Sequence, residues 1–308
     1  MPIGRIVEIW RYPVKSMGGE SITSASVGKL GIAGDRCWAV RDPGDKGEIR
    51  TARKFPRLLQ CSARCVGEPV AQGDADMIDV DWTKRGRPLR VARKSPRIEV
   101  DFPDGGRLGS HEPGMSDDLS KVVGIPVDLC PLQPADDAAH HQRFRRRRQE
   151  LDQEFKDMLA RLPDEPYPDL VAQFGTDVMD FVTPPGTYFD AMPLHLITTA
   201  ALRELERLNP HGSFDRRRFR ANFVVEVDDA SGFVEFDWCG RSLRLGALTT
   251  SVHIPVVRCV MLTLAQRDLP KDPSVLRTVV RHAKQNFGVY LTAAEPATVR
   301  VGDPIELI

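Results

Sequence analysis

The chain has 308 residues, of which 41% are hydrophobic and 28% are charged, as in an ordinary soluble protein of two domains or one large one. Its 43 Lys and Arg residues balance its 43 Asp and Glu residues, which excludes a chain-wide polycation for nucleic-acid binding. No apolar run approaches the roughly 20 residues of a membrane-spanning helix, and the N-terminus lacks a signal-peptide pattern. We therefore expect a cytoplasmic protein with neither nucleic acid nor membrane as partner.

The N-terminal residues 1–132 show many short segments with strand patterns. Gly and Pro turns separate these segments, an arrangement typical of a sandwich or barrel rather than of alternating strands and helices. A short helix is also predicted over 116–124, with Ser116 as its N-cap. The strands are predicted over 3–10, 21–27, 37–41, 60–66, 78–82, 89–93, 98–102 and 125–132.

Two loops in this region place cationic side chains beside turns. Lys15 and Ser16 precede a Gly pair, where an ammonium, a hydroxyl and free backbone N–H groups can hold an anion. Asp35 and Arg36 open the strand over 37–41. Each pair has a plainer interpretation, an ordinary polar turn or an internally satisfied ion pair.

Residues 133–169 differ in composition from the rest of the chain. A strong helix is predicted over 142–162, with an arginine cluster at its start and acidic residues after it. Such a charge pattern is most often a solvated helix face with internal ion pairs. Three prolines follow, so the segment is interpreted as a domain boundary or an insertion.

Residues 170–308 are predicted to hold a second set of strands with two helices. A strand beginning at Leu194 leads into a helix capped by Thr198, and a later helix over 273–286 is capped by Asp272. The segments 234–238 and 242–245 suggest a hairpin. The remaining strands are predicted over 223–227, 249–264, 288–292 and two short stretches of 298–308.

The apolar stretch 249–264 contains Cys259, directly after Arg258. One interpretation is a buried strand in which the cysteine is a small hydrophobic residue. The other is a thiolate stabilised by a cation, acting as a nucleophile or as a ligand to a soft metal. Four arginines and Asn222 in the run 215–222 form a dense cationic segment, which as a bare charge run is more often solvated surface.

The six cysteines show no CxxC spacing, so a zinc ribbon or an intrinsic iron–sulfur cluster is not expected. We interpret them as reduced thiols. They are Cys37, Cys61, Cys65, Cys130, Cys239 and Cys259.

These segments, taken together, resemble a known family. Lys15-Ser16, the turn 30–36 and the stretch 51–56 with Arg53 resemble the N-terminal β-barrel domain that accompanies MOSC domains. The segment 218–222, Arg258-Cys259 and 288–290 resemble the MOSC domain itself. The resemblance implies a mainly β (α+β) fold of two β-barrel-like domains with a few peripheral helices. The implied division is an N-terminal barrel over 1–132, a helical insertion or linker over 133–169 and a MOSC domain over 170–308.

The resemblance also implies a cofactor and a reaction. Similar proteins are the bacterial YcbX type and the mitochondrial amidoxime-reducing component, which carry molybdenum cofactor (Mo-molybdopterin) and reduce N-hydroxylated compounds. By this analogy Cys259 is the catalytic residue and the thiolate ligand of molybdenum. The residues that would hold the cofactor are Lys15, Ser16, Arg36, Arg53, Arg220, Asn222, Arg258 and Tyr290. A phosphate-bearing pterin needs such converging cations and donors.

The chain departs from these relatives in ways that bear on partners. Val257 stands where the reductases often have a small hydroxylic residue, and the approach 250–253 has no acidic residue. The chain shows neither a C-terminal ferredoxin-like extension nor a pyridoxal-phosphate (PLP) desulfurase domain. We therefore expect no PLP, a small-molecule substrate, and electrons from a separate ferredoxin-, flavodoxin- or cytochrome b5-like system. The alternatives are a sulfur carrier using a Cys259 persulfide, or a non-catalytic carrier of the cofactor.

Overall fold

The computed structural model describes residues 1–44, 47–69, 95–143, 148–163, 165, 168–170, 175 and 177–308. The predicted strands over 78–82 and 89–93 lie outside these residues. Within the described ranges, no helix combines the length and the apolar character that crossing a bilayer requires.

The structure is mostly β. The strands are β1 Gly4–Arg11, β2 Glu20–Ile22, β3 Ser24–Gly28, β4 Gly31–Ile32, β5 Trp38–Arg41, β6 Ser62–Cys65, β7 Ile98–Asp101, β8 Arg107–Gly109, β9 Asp128–Pro131, β10 Leu194–Thr198, β11 Phe223–Val227, β12 Ser242–Leu245, β13 Leu248–Val257, β14 Asn286–Ala293, β15 Ala297–Arg300 and β16 Pro304–Leu307. The helices are α1 Met115–Val123, α2 Ala138–His141, α3 Arg148–Leu159, α4 Asp177–Asp180, α5 Thr199–Leu208 and α6 Pro273–Ala283. Short 3₁₀ helices cover Pro56–Gln60, Arg216–Arg218, Val234–Trp238 and Val260–Thr263.

Seven strands close into a barrel, in the order β11-β10-β14-β13-β12-β16-β1, and β1 pairs back to β11. The closing strand β1 comes from the start of the chain, while the other six come from residues 194–307. Gly4 permits this closure, because a Cβ at that position would collide with the backbone of Glu226 on β11. Ile6 and Ile9 are buried in the barrel core. The predicted mainly β, barrel-containing fold is confirmed, with the N-terminal strand built into the C-terminal barrel.

Strand β2 extends the barrel sheet by pairing with β1, and the other described strands form three smaller sheets, β15-β3-β4, β5-β9 and β6-β7-β8. Strand β15 of the first sheet comes from the C-terminal part of the chain and pairs with β3 from the N-terminal part. The N-terminal and C-terminal parts therefore each contribute a strand to a sheet of the other. A second apolar core lies among the β5-β9 and β6-β7-β8 sheets and α1, and includes Val14, Leu58, Val100 and Leu119. The domain bounds 1–132, 133–169 and 170–308 stay a prediction.

The predicted hairpin of 234–238 and 242–245 is wrong. Residues Val234–Trp238 form a 3₁₀ helix, in which Glu235 and Trp238, three positions apart, are the buried side chains. Three residues make one turn of such a helix, so the spacing of these two buried side chains is helical. Strand β12 instead pairs with β13 across the turn at Gly246, in a register from Ser242–Ser251 to Leu245–Leu248.

The helix predicted over 142–162 is shorter than expected. Gln142 forms a β-bridge with Phe181, and the N–H of Arg143 donates to the carbonyl of Asp180 at 2.8 Å. This pairing is incompatible with a helix at 142–143, and α3 begins at Arg148. A tertiary contact thus overrides a strong local propensity.

Three further boundaries differ from the prediction. Gly114, and not Ser116, precedes α1, because the Ser116 hydroxyl donates to Asp128 at 2.7 Å. The stretch predicted as one strand over 249–264 ends at Val257 and continues as a 3₁₀ helix. The helix predicted over 273–286 ends at Ala283.

Glu235 supplies a pH test of this fold. Its carboxyl group is fully buried and accepts a hydrogen bond from Thr198 at 2.8 Å, while its Oε1 has no partner. Burial raises the pKa of Glu235 to about 7. The folded state therefore binds more protons than the unfolded state between pH about 4.5 and 7, and the free energy of unfolding falls as pH rises through that window.

We expect Glu235→Gln to remove that part of the pH dependence. Glutamine keeps an acceptor for Thr198 but cannot ionise. The difference in unfolding free energy between variant and wild type should grow by an amount on the order of 3 kcal/mol from pH 4.5 to pH 8. Urea unfolding at several pH values measures it, and parallel profiles for the two proteins would contradict the assignment.

Candidate functional site

A cavity of about 410 Å³ opens beside the barrel. Its lining includes side chains from the N-terminal loops, from the segment around α3 and from the barrel strands. Its size is within the usual range of small-ligand sites. The predicted site residues that line it are Arg36, Arg53, Arg220, Asn222, Arg258, Cys259 and Tyr290.

Cys259 lies where strand β13 has ended and the 3₁₀ helix Val260–Thr263 begins. Pairing of β13 with β14 is irregular at Pro255, and such irregularities turn a strand and re-aim its side chains. The thiol is partly exposed, lines the cavity together with Arg53, and interacts with the Arg53 guanidinium by charge. Cys61 and Cys65 are buried away from the cavity lining, and burial raises the pKa of each to about 12. Cys259 is therefore the thiol placed for chemistry in the cavity.

Arg258 contributes an unsatisfied donor. One of its terminal nitrogens donates to the carbonyl of Phe219 at 2.8 Å, but its Nε is buried without a hydrogen-bond partner. Burial lowers the pKa of Arg258. A buried guanidinium N–H without an acceptor is costly, so this group favours an acceptor-rich ligand.

The N-terminal loop and the barrel are joined at Asp35. This fully buried carboxylate accepts from the backbone N–H of Tyr12 at 2.7 Å, from Nδ2 of Asn222 at 3.2 Å and from Arg36. Asn222 also donates to the carbonyl of Trp10 at 3.3 Å and accepts from the N–H of His195 at 3.1 Å. The amide of Asn222 is thus committed to the protein itself, although it lines the cavity.

Arg36 and Arg220 lie over the same aromatic ring. Their guanidinium carbons are 5.0 Å and 4.3 Å from the ring centroid of Tyr12. Burial and then the charge of Arg36 lower the pKa of Arg220 to about 10, so both groups remain cationic near neutral pH. Arg36 also donates to the backbone carbonyl of Arg220 at 3.1 Å. Asp35 balances one of these two like charges, and the positive charge that remains favours an anion beside them.

Lys15 lies behind the cavity wall and is not among its lining residues. Its Nζ donates to the carbonyl of Tyr188 at 3.0 Å and to the carboxylate of Asp190 at 2.6 Å. Burial lowers the pKa of Lys15 to about 8, against the attraction of Asp190. Two of its three donors are therefore committed. Ser16 is also buried outside the lining, so contact of Lys15 and Ser16 with a cofactor stays a prediction.

Asp190 is a cavity residue that the sequence reasoning missed. Burial acts to raise the pKa of Asp190, but Lys15 and Arg53 outweigh it and hold the pKa well below its usual range. Its carboxylate is 3.9 Å from the Arg53 guanidinium. No local motif surrounds it, because its partners lie more than 130 positions away in the chain.

His195 and Tyr290 face each other at the barrel end of the cavity, with ring centroids 6.1 Å apart. Gly288, with φ of 75°, allows this arrangement, because a Cβ there would collide with the His195 ring. Burial, with Arg258 and Arg36, lowers the pKa of His195 well below its usual value. Burial also raises the pKa of Tyr290. Near neutral pH the site thus holds a neutral imidazole and a neutral phenol.

The arginine run 216–220 is divided between structural and site roles. Arg216 pairs with Glu8, and Arg217 pairs with Asp215 and Asp268. The buried guanidinium of Arg218 donates to the backbone carbonyls of Ser213, Leu262, Leu264 and Pro270 and to the hydroxyl of Ser213. The predicted cationic segment is therefore mostly structural.

Comparisons with known proteins show which family the chain belongs to. The model of the MOSC N-terminal beta barrel domain matches residues 3–102, and that of the MOSC domain matches residues 184–306. Mitochondrial amidoxime-reducing component 1 of Homo sapiens is 24% identical over 99% of this chain and 83% of its own length. Molybdenum cofactor sulfurase of Homo sapiens is 23% identical over 97% of this chain and 32% of its length. Among solved structures, the YUAD protein from Bacillus subtilis aligns with a TM-score of 0.32 and 17% identity, over 37% of this chain and 63% of that one.

We expect Asp35→Ala to destabilise the protein strongly. The change would leave the buried Arg36 charge, the Tyr12 N–H and one amide hydrogen of Asn222 without their acceptor. Breaking one partner of such a buried pair costs about 3–5 kcal/mol. Denaturant unfolding measures it, with Asp268→Ala as the control at an exposed ion pair, where a much smaller loss of stability is expected. Equal effects of the two variants would refute the bridging role of Asp35.

Proposed function

Because this chain belongs to the MOSC domain proteins, with a MOSC N-terminal barrel domain ahead of the MOSC domain, we propose that its cavity binds molybdenum cofactor for the reduction of N-hydroxylated small molecules. The observation that carries the proposal is the partly exposed Cys259 thiol beside Arg53, in a cavity lined by Arg36, Arg220 and Arg258. The relatives named for amidoxime reduction and for cofactor sulfuration support it.

The donor set fits the cofactor. A molybdopterin carries a phosphate and a ring rich in hydrogen-bond acceptors, and it presents its metal through sulfur. Arg36 and Arg220, held as neighbouring cations on Tyr12, suit the phosphate. The buried Nε of Arg258 lacks the acceptor that the ring would supply. The thiolate of Cys259 is the soft donor that such a metal prefers.

Bound molybdenum would supply the two-electron redox chemistry. The protein would bind and orient the cofactor and the substrate, and its charged groups would set the electrostatic field around them. The Arg53 guanidinium, which interacts with Cys259 by charge, would lie beside the sulfur that holds the metal. The guanidinium groups of Arg36 and Arg220, which contacts to the protein hold in place, would bind the anionic end of the cofactor. These roles need no movement of the barrel, because each side chain is fixed by a contact described above.

The overall reaction consumes protons as well as electrons. Reduction of R–NHOH to R–NH₂ takes two electrons and two protons, cleaves the N–O bond and releases water. Tyr290 can hold its proton on the phenol oxygen and donate a hydrogen bond to the leaving oxygen, since burial raises its pKa. The electrons would come from a separate ferredoxin-, flavodoxin- or cytochrome b5-like protein.

The similarity to a cofactor sulfurase favours one further candidate, a sulfur carrier with a persulfide on Cys259. The same partly exposed thiol and the same cation would serve it. Mass spectrometry of freshly purified protein separates the two functions. A thiol-removable extra sulfur on Cys259 without bound molybdenum would favour sulfur transfer.

We expect Cys259→Ala to abolish reduction of amidoximes and to lower the molybdenum content of protein purified from a cofactor-competent host. The variant removes the one proposed protein ligand of the metal. Elemental analysis and a reductase assay measure the two effects, and Cys239→Ala, at a thiol that does not line the cavity, is the control. Full activity of Cys259→Ala with normal molybdenum content would exclude the ligand role.

We expect Arg258→Gln to weaken retention of the cofactor while leaving the fold intact. Glutamine can keep a donor near the Phe219 carbonyl, but the charge and the Nε–H are lost. Loss of a charge-assisted contact corresponds to roughly a tenfold or greater fall in affinity. Molybdenum content after gel filtration measures it, with Arg217→Gln at the surface as the matched control. Unchanged content in Arg258→Gln would contradict cofactor binding by this side chain.

A further inference from the structure

Helix α3 presents an apolar face to the cavity. Phe155, Met158 and Leu159 all line the cavity, and their spacing of three and four positions places them on one side of the helix. Phe181 and Val182, from the segment that pairs with Gln142, extend the same lining. We refer to these five side chains as the apolar wall.

The helix is fixed in place near its C-terminal end. The carbonyl of Leu159 accepts from Nε2 of Gln285 at 3.0 Å, and Arg277 donates to the carbonyl of Ala160 at 2.5 Å. Arg277 also holds Glu165 with bonds of 3.0 and 2.9 Å. The end of α3 is thereby attached to α6 and to the residues that follow it.

A second set of contacts holds the middle of α3. Glu154 accepts from Arg143 at 2.8 Å and from Lys54 at 3.1 Å. The Arg143 guanidinium also lies 5.6 Å from the Phe155 ring centroid. Arg143 lines the cavity, but Glu154 balances its charge. This side of the cavity is therefore mainly apolar, and the arginine that lines it is held in an ion pair.

The apolar wall lies next to the reactive sulfur. Helix α3 contacts the 3₁₀ helix Val260–Thr263 that begins directly after Cys259. Nε2 of Gln285, besides holding Leu159, donates to the carbonyl of Arg258 at 2.8 Å. One buried side chain thus spans from the end of α3 to the residue before the cysteine.

The two sides of the cavity suit different partners. The arginines match the phosphate and acceptor atoms of a cofactor, whereas the apolar wall offers such a group neither charge nor donors. A flat hydrocarbon group gains from both the Phe155 ring and the Met158 thioether. Resting on the function proposed above, we infer that the apolar wall selects N-hydroxylated substrates whose substituent is an uncharged aryl or similar flat apolar group.

The test compares two amidoximes that share the reacting group, benzamidoxime and acetamidoxime. Binding is measured by calorimetry on cofactor-loaded protein without an electron donor, so that no turnover occurs. Wild type should bind benzamidoxime about tenfold or more tightly than acetamidoxime, since a phenyl ring buries much more apolar area than a methyl group. A ratio near one would overturn the inference.

Two variants localise the selectivity. Phe155→Ala and Met158→Gln should each reduce that ratio about threefold or more, by weakening benzamidoxime alone. Met158→Gln keeps side-chain length and helix propensity, so it tests the wall even if Phe155→Ala folds poorly. Lys156→Ala, at an exposed position of the same helix, should leave the ratio unchanged.

An unchanged binding ratio in folded Met158→Gln would contradict the inference. If that variant also lost molybdenum, the apolar wall would hold the cofactor and not the substrate. Turnover of acetamidoxime with reduced methyl viologen reports on the proposed function separately. Absence of turnover for both compounds would reject that function, while the binding ratio would still decide the role of the wall.

Discussion

The buried carboxylate of Asp35 is the interaction on which the candidate site depends. It binds the backbone of Tyr12, the guanidinium of Arg36 and the amide of Asn222, and so joins the N-terminal loops to the barrel strand that starts at Phe223. A fully buried charge is tolerated only when it is paired and hydrogen-bonded. Because these partners also hold Tyr12 and Arg36 beside the cavity, the contacts that satisfy Asp35 define the cationic side of the cavity.

The strand exchange extends this constraint to the whole fold. Strand β1 closes the C-terminal barrel, and β15 joins the sheet of β3 and β4. The two halves of the chain therefore cannot separate without breaking sheet hydrogen bonds. The cavity is thus built on a single connected framework, and side chains from both halves keep their positions relative to Cys259. Such a framework would suit the large preformed cofactor proposed above, because little ordering entropy would be lost on binding.

Local features of the chain could be predicted from the sequence. The alternating segment 3–10 is strand β1, and Thr198 and Asp272 cap helices as expected. The strands that pair with one another in the sheets could not be predicted in this way. The period of β1 shows which residues are buried but not that β11 and β16 are its neighbours. The wrong prediction of a hairpin strand at Val234–Trp238 has another cause, because a short apolar run does not distinguish a strand from a helical turn.

The site shows the same division. Cys259, Arg258 and Arg220 could be singled out because reactive or cationic residue types cluster within short motifs. Asp190 could not, since its role comes from Lys15 and Arg53, which are distant in sequence. The apolar wall was also missed, because Phe155 and Met158 fit an ordinary amphipathic helix that packs on a core. Only the fold shows that this face borders a cavity.

Left-handed backbone occurs at two arginines that line the cavity and at Ser16 in the neighbouring N-terminal loop. Ser16, Arg36 and Arg220 all have positive φ, at 68°, 47° and 55°. Each such non-glycine residue costs on the order of 1 kcal/mol or more and persists only where the surroundings impose it. Here the imposing contacts are identifiable, since Arg36 donates to the carbonyl of Arg220, and Arg220 donates to the carbonyl of Met17. The same contacts hold both guanidinium groups over Tyr12, so the strained backbone conformations fix the cationic side of the cavity to which the proposed cofactor would bind.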